Sequence, residues 1–174
     1  MKNMLLALSV LAFSLPVLAD GAKKLHVEES VSIAAPAEAV WSKVSNFGDL
    51  GAWHPAVKTT QITAGENNKK GAIRLLTLQD GGTVQEKLLG YSANKKSFEY
   101  AIIEGVLPVS SYTSTVTVKA DTPTSSTVVW SGNFKRKDTS ATPAAGQDDD
   151  AAVKTITSVY RGGLDNLKKI SETK

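Results

Sequence analysis

Residues 148–174 carry the pattern that constrains the fold most, a single long amphipathic helix after a series of mainly strand-like runs. Apolar side chains recur there every three or four residues, which gives one continuous stripe along a helix. Its members are Val153, Ile156, Tyr160, Leu164, Leu167 and Ile170. Because such a stripe must be buried, we expect the helix to lie in the concave face of a sheet. This arrangement encloses a cavity wherever helix and sheet do not meet tightly.

Residues 1–19 have the pattern of a secretory signal peptide. Lys2 supplies the positive charge, Met4 to Leu15 an apolar run, and Val17-Leu18-Ala19 a small-residue cleavage signal. The apolar run is shorter than the roughly 20 residues that a bilayer-spanning helix needs, so we expect export without a stable membrane anchor. Residues 20–174 would then form a single domain that acts in the periplasm or outside the cell.

The residue types that are rare in this chain exclude several kinds of site. The chain contains no cysteine and only two histidines, so disulfides and thiolate chemistry are excluded and a catalytic zinc site is not expected. The formal net charge is only +3 and the basic residues occur as scattered short runs, so nucleic acid is not an expected partner. Phosphate-binding loops, dinucleotide fingerprints and Gly-x-Ser-x-Gly elbows are also missing. We therefore expect no metal and no cofactor.

Alternation of apolar and polar residues predicts seven strands, with two short helices after the first. The first strand is predicted from Leu25 to Ile33, Pro36 fits the start of one helix, and the second helical piece would end at Trp53-His54-Pro55. The later strands are predicted at 57–63, 72–78, 83–91, 97–103, 112–119 and 127–136. Turn residues separate these runs, so we expect an antiparallel meander, followed by a mobile loop at 138–147.

Several aromatic residues are predicted to point into the interior. Alternation places Tyr100, Tyr112 and Trp130 on the inward faces of three late strands, and Tyr160 belongs to the helix stripe that faces them. These side chains either line a cavity or are core aromatics whose polar groups find hydrogen-bond partners. The sequence leaves both interpretations open.

Glu86 alternates with apolar neighbours, which predicts a carboxylate in the interior. Arg74 and Leu76 fall on the same side as Glu86 if the turn at 80–82 is a three-residue loop, and on the opposite side if it has two residues; we expect three. Desolvation can exceed the Coulomb attraction of a buried ion pair, so stability is a poor reason for one. We therefore expect Arg74 and Glu86 to orient a ligand, with structural pairing as the alternative.

His54 and Gly163 are further candidate site residues because their types are unusual for their positions. An unperturbed imidazole titrates at about pH 6.5, so His54 is a candidate general base. The alternatives are a role at the cavity mouth, near Trp53 in sequence, and hydrogen bonding at the surface or at a helix end. Gly162 and Gly163 lie inside the predicted helix, where each glycine costs roughly 1 kcal/mol relative to alanine. Either the helix approaches the sheet closely there, or the glycines leave space for a ligand.

The order of elements and several motifs resemble the START/polyketide-cyclase superfamily, whose members have the helix-grip fold. The resemblance covers nearly all of residues 20–174 and rests on Ala35–Trp41, Trp53-His54-Pro55, Gly71 with Arg74, Asp80-Gly81-Gly82 with Glu86, Glu104–Val109 with Tyr112, and Tyr160–Leu164. It implies an α+β fold in which a seven-stranded antiparallel sheet wraps around a long C-terminal helix. It also implies a cavity for a hydrophobic small molecule, such as a lipid or a polyketide-like compound.

Two narrower resemblances add expectations. The leader together with Trp53–Val57 is similar to the exported MxaD-like branch, whose namesakes assist periplasmic methanol oxidation. Similarity to the plant abscisic-acid receptors implies that Glu86, Tyr100, Tyr112 and the loop at 106–109 line or gate the cavity. Pro108, in that loop, stands with its neighbour where those receptors carry a basic gating pair, so the resemblance does not extend to hormone-type latching.

Three functions are compatible with these residues. The first is binding or carriage of a hydrophobic small molecule in an apolar cavity with a few polar groups. The second is an accessory role, with a periplasmic redox complex as protein partner. The third is a cyclase or dehydratase in which Glu86 with Arg74 or His54 transfers protons, and it ranks last because no second carboxylate or histidine is predicted on the inward faces. In each case the segment 105–111 and the residues around Trp53 are predicted to form a mobile rim.

Overall fold

The computed structural model describes residues 22–173, so the predicted signal peptide lies outside the described residues. The elements in chain order are β1 (Leu25–Ile33), α1 (Ala37–Val44), a 3₁₀ turn (Leu50–Ala52), β2 (Val57–Ala64), β3 (Ile73–Leu78), β4 (Thr83–Ser92), β5 (Ser97–Gly105), β6 (Val109–Thr122), β7 (Ser125–Arg136) and α2 (Asp149–Glu172). The second predicted helix is only the single 3₁₀ turn. Pro55 disfavours helical backbone at the residue before it, so this segment cannot continue as a helix.

The strands form one antiparallel sheet in the order β1-β7-β6-β5-β4-β3-β2. Strands β2 to β7 each pair with the strand that follows in sequence. The last strand, β7, also pairs with the first, β1, which forms the edge of the sheet. Helix α2 packs against β1 and β7, and α1 lies against β6, β7 and α2. This is the predicted helix-grip arrangement.

The ends and the buried face of α2 follow from its sequence. The Asp148 carboxylate accepts a hydrogen bond from the Ala151 amide at 2.8 Å and so caps the helix. The predicted stripe faces the sheet, with four members fully buried and Val153 and Ile170 partly buried at the ends. Within residues 22–173, no helix has both the length and the hydrophobicity that crossing a membrane requires.

The hairpin between β3 and β4 confirms the predicted side of Arg74. The Leu78 amide donates to the Gly82 carbonyl at 2.8 Å, and Gly81 has a left-handed φ of 88°. The connection is therefore a three-residue loop, residues 79–81, which begins one residue earlier than predicted. In this register Arg74 pairs directly with Glu86, so both side chains lie on the same face of the sheet.

The connection between β5 and β6 differs from the prediction. Strand β5 runs to Gly105 and β6 begins at Val109, so only residues 106–108 connect them and most of the predicted loop 105–111 is strand. Ser111 has a φ of 49° at a register shift between Ser110 and Thr113. Such a bulge absorbs one extra residue and re-aims the next side chain, here Tyr112.

The long loop at 138–147, predicted to be mobile, is anchored at its start. The Arg136 guanidinium donates to the carbonyls of Asp138 and Ser140, each at 2.7 Å. It also forms an ion pair with Asp149 at the start of α2. Arg136 therefore fixes the path by which the chain leaves the sheet and enters the terminal helix.

Candidate functional site

A cavity of about 70 Å³ lies between α2 and the sheet. Its wall is mostly apolar and is formed by Leu50, His54, Ala56, Val57, Leu76, Leu78, Val84, Glu86, Tyr100, Ile102, Leu107, Tyr112, Trp130, Ile156 and Val159. Cavities that bind benzene are larger, at about 150 Å³. Most of the space between helix and sheet is therefore filled by side chains, and a ligand of ordinary size requires the cavity to widen.

The predicted site residues divide into two groups. His54, Leu76, Glu86, Tyr100, Tyr112 and Trp130 border the cavity. Trp53, Arg74, Pro108, Tyr160 and Gly163 are absent from its wall, and all of these except Pro108 contact a wall residue from behind. Pro108 is partly buried in the β5–β6 connection, where its neighbour Leu107 reaches the cavity instead. The second group shapes the site without lining it.

Arg74 and Glu86 form a buried ion pair with a definite orientation. Arg74 Nε donates to Glu86 Oε2 at 2.6 Å, and Nη1 donates to the Phe47 carbonyl at 2.7 Å. The guanidinium carbon lies 4.1 Å from the centroid of the Phe47 ring and 5.3 Å from that of Tyr100. Arg74 is thus held by protein groups behind the wall, while the Glu86 carboxylate borders the cavity.

Burial raises the pKa of Glu86 above its ordinary value, although the charge and the hydrogen bond of Arg74 act in the opposite direction. The sequence pattern does not indicate the contribution of Phe47 to this pair. Phe47 lies in the irregular segment between α1 and the 3₁₀ turn, where no periodicity indicates which way a side chain or a carbonyl points.

Two tyrosines of the cavity wall, Tyr100 and Tyr112, belong to a connected network of hydroxyl groups from β5, β6 and α2. Tyr112 Oη lies 2.6 Å from Tyr160 Oη and 3.3 Å from Tyr100 Oη, and Tyr160 Oη lies 2.8 Å from Ser114 Oγ. Trp130 Nε1 donates to both Tyr100 Oη and Ser114 Oγ at 3.0 Å. The rings of Trp130 and Tyr160 also stack, with centroids 4.5 Å apart.

Only one assignment of donors and acceptors fits all hydrogen bonds of the network. Ser114 Oγ donates to the Ser131 carbonyl, which can only accept, so Tyr160 must donate to Ser114. Tyr112 then donates to Tyr160, and Tyr100 donates to Tyr112. Burial raises the pKa of Tyr160 to about 12 and raises the pKa of Tyr100 and Tyr112 as well. All these protons therefore stay in place at neutral pH.

Gly132 lies on β7 and pairs with Ser114 on β6, and it provides the space for this network. A Cβ atom at this position would collide with the Tyr160 hydroxyl. Ser114 and Gly132 were not selected as site residues from the sequence, although alternation places both on inward faces. Two small inward residues on neighbouring strands, together with a tyrosine in the helix stripe, are the sequence pattern that could have indicated this network.

His54 connects the segment after the 3₁₀ turn to α2. Its Nε2 lies 3.0 Å from the Val159 carbonyl, and its Nδ1 accepts from the Ala56 amide at 3.2 Å. Because the carbonyl only accepts and the amide only donates, the imidazole carries its proton on Nε2. Asn166 adds a second link by donating to the Trp53 carbonyl at 2.8 Å. His54 is only 3% exposed, so its hydrogen bonds are made in the interior and not at the surface, and its side chain borders the cavity.

Gly163 allows α2 to approach this segment. A Cβ atom there would lie 2.7 Å from His54 Cδ2 and 2.9 Å from Trp130 Cζ3, closer than real contacts permit. At Gly162 nothing lies within 4 Å. Close approach of the helix, rather than space for a ligand, therefore explains the glycine at 163.

His54 should make the fold sensitive to mild acid. Burial lowers the pKa of His54 below its ordinary value, so the unfolded chain takes up the proton first. The stability that His54 contributes is fully present above about pH 6.5 and is lost as the pH falls through the lower folded pKa, with a slope of at most about 1.4 kcal/mol per pH unit. Urea unfolding between pH 7.5 and 5 should show a steeper loss in the wild-type protein than in His54→Gln. Equal slopes would contradict this assignment.

Comparisons with known proteins agree with this architecture. The family model described as polyketide cyclase / dehydrase and lipid transport matches residues 24–172. MLP-like protein 423 of Arabidopsis thaliana is 32% identical over 120 residues, which span 64% of this chain and 76% of that protein.

Solved structures give the same result. XoxI from Bacillus cereus superposes with a TM-score of 0.73 at 29% identity, covering 83% of this chain and 94% of that one. The Zhui aromatase/cyclase from Streptomyces sp. R1128 superposes with a TM-score of 0.68, covering 86% of this chain and 94% of that one, and its 17% identity indicates a shared fold alone. From Lys24 to Glu172, nearly all of the described sequence matches one family model. This chain belongs to the polyketide cyclase/dehydrase and lipid transport family.

Proposed function

We propose that the protein binds and carries a hydrophobic small molecule, of lipid or polyketide-like type, in the cavity between α2 and the sheet. The observation that carries this proposal is the Glu86 carboxylate, which is only 5% exposed yet borders an otherwise mostly apolar cavity. A buried carboxylate is costly to keep and contributes little net stability even when paired. Orienting the polar end of an apolar ligand gives this arrangement a use, and the family also includes lipid transport.

Binding requires the cavity to widen beyond its present 70 Å³, since ligand sites for drug-sized molecules occupy about 300–1,000 Å³. The wall contains two parts that belong to connections, Leu107 in the β5–β6 connection and Ala56 after the 3₁₀ turn. Connections move more easily than the centre of a sheet. We propose these two parts as the rim that opens; the first, residues 106–108, is shorter than the segment 105–111 predicted from the sequence.

We further propose that the protein works in the periplasm after removal of residues 1–19. The pattern of the leader supports this location. Mass spectrometry of the protein from a periplasmic fraction should give the mass of a chain that begins at Asp20. A full-length chain in the cytoplasmic fraction would contradict it.

Native mass spectrometry tests the carrier function. Protein purified from the periplasm under mild conditions should carry a discrete extra mass that solvent extraction releases. The apo mass alone, together with a lack of binding to a panel of lipids and aromatic polyketides, would contradict carriage.

Substitution of Glu86 by glutamine separates carriage from catalysis. This change keeps the shape but removes the charge, so affinity for a ligand with a polar end should fall by about 1.5–3 kcal/mol, the worth of a hydrogen bond to a charged group. Affinity for purely apolar ligands should stay the same, as isothermal titration calorimetry would show. If Glu86→Gln instead keeps affinity and abolishes chemical conversion of the ligand, the cyclase or dehydratase function replaces the carrier function.

One observation supports the second candidate, the MxaD-like accessory role. Ile103 and Val106 are 50% and 54% exposed, and they are the exposed large hydrophobic side chains within residues 22–173. Both lie at the β5–β6 end of the sheet, where a protein partner could cover them. A double substitution, Ile103→Lys with Val106→Lys, should weaken association with a purified periplasmic alcohol-oxidising complex at least tenfold. The same substitution at exposed Thr122 and Thr124 serves as the control.

A further inference from the structure

We infer that the cavity selects ligands whose polar end donates hydrogen bonds, such as alcohols, phenols and amines, over matched ketones and carboxylates. This inference rests on the proposed carrier function and specifies the class of ligand. It follows from counting the hydrogen-bond donors that the wall offers. The wall has polar side chains, but each of their protons is already committed to another protein atom.

Glu86 presents an acceptor. Arg74 uses Nε for Glu86 and Nη1 for the Phe47 carbonyl, and Arg74 itself is absent from the wall. Only Oε2 of Glu86 receives the Arg74 hydrogen bond, and within residues 22–173 no hydrogen bond reaches Oε1. The 2.6 Å ion pair with the Arg74 guanidinium holds Glu86 as a carboxylate. A carboxylate has no proton to donate, so Glu86 presents an acceptor to the cavity.

Tyr100 and Tyr112 also present acceptors. The direction of the network commits the Tyr100 proton to Tyr112 and the Tyr112 proton to Tyr160. A phenolic oxygen has two lone pairs, and each of these two oxygens already accepts one hydrogen bond. What remains for a ligand at each hydroxyl is a single lone pair.

The nitrogen donors of the wall are committed in the same way. His54 Nε2–H is directed at the Val159 carbonyl, and its Nδ1 already accepts from Ala56. Trp130 Nε1–H is shared between Tyr100 and Ser114. Among the described side chains that line the cavity, none retains a free N–H or O–H.

A ligand acceptor in this cavity would therefore lose its water without gaining a partner. Burying an unpaired polar group is costly, and a ligand carboxylate would in addition meet the charge of Glu86. A hydroxyl or an amine, in contrast, finds up to three acceptors. The expected result is a discrimination between an alcohol and its matched ketone of tenfold or more.

The test uses probes that share one apolar body. Binding of 1-phenylethanol, 1-phenylethylamine, acetophenone, benzoate and ethylbenzene is measured at pH 7.5 by NMR titration of the ¹⁵N-labelled protein. The alcohol and the amine should bind at least tenfold more tightly than acetophenone and benzoate. Equal affinities for alcohol and ketone overturn the inference but support the carrier function, whereas no binding of any probe, ethylbenzene included, removes both.

Tyr160→Phe gives a sharper check because Tyr160 lies behind the wall and does not line the cavity. Its hydroxyl accepts the Tyr112 proton, so removing it leaves either Tyr112 or Tyr100 with a proton free to face the cavity. Acetophenone should then bind at least threefold more tightly than to the wild-type protein. Ser114 still accepts from Trp130, and thermal unfolding confirms that the variant is folded. Unchanged or weaker ketone binding in folded Tyr160→Phe would overturn the inference.

Discussion

Replacing Arg74 with methionine should lower the free energy of unfolding by about 3–5 kcal/mol, because it leaves the Glu86 carboxylate buried without its partner. The two side chains are only 2% and 6% exposed, so water cannot take the place of the guanidinium. Urea unfolding at pH 7.5 measures the loss. The loss should shrink towards pH 5, since protonation of Glu86 relieves the unpaired charge and burial already raises the pKa of this group.

The matched control removes both charges together. In the double variant Arg74→Met with Glu86→Leu no ion remains buried, and replacement of a buried pair by apolar residues of similar volume is often neutral or stabilising. Most of the lost stability should therefore return. A double variant as unstable as Arg74→Met alone would show that the Arg74 contacts to Phe47, and not the unpaired carboxylate, account for the loss.

Gly163→Ala should destabilise the protein by about 1–3 kcal/mol, the usual cost of an extra methyl group in a filled core. The new Cβ would meet the rings of His54 and Trp130, and neither ring can easily move. His54 is held by two hydrogen bonds, while Trp130 lies in the middle of β7 and stacks on Tyr160. Thermal or urea unfolding measures the effect.

The neighbouring glycine provides an internal control of opposite sign. Gly162→Ala places a methyl group where nothing lies within 4 Å, so the variant gains the difference in helix propensity, about 1 kcal/mol. Two identical substitutions at adjacent positions should thus shift stability in opposite directions. Equal shifts would mean that α2 does not approach His54 as closely as described.

Local pattern was sufficient to predict much of the sheet. Alternation predicts that Glu86 points into the interior. The three-residue loop between β3 and β4 then pairs Arg74 with Glu86, so both side chains lie on the same face of the sheet. The stripe of α2 was equally clear because its period is regular from Val153 to Ile170, about five turns of amphipathic helix. These features depend on residues that are close in sequence.

Other features of the site depend on contacts that no local pattern contains. The orientation of the ion pair is set by Phe47, 27 residues before Arg74. The small volume of the cavity results from aromatic rings of separate elements that meet, such as Trp53 with Trp130 at 5.4 Å. The β5–β6 connection was predicted too long because serines usually indicate a loop, whereas here a bulge at Ser111 keeps the strand paired on both sides.

The pairing of the first strand with the last has a consequence for when the chain can fold. Partners in β1 and β7, such as His26 and Asn133, are 107 residues apart in sequence. Closing so distant a contact is slow, and β1 has no place in the sheet until β7 has been synthesised. Helix α2, which packs on both strands, comes later still. A nascent chain of this design cannot complete its sheet or seat its terminal helix until synthesis is nearly finished.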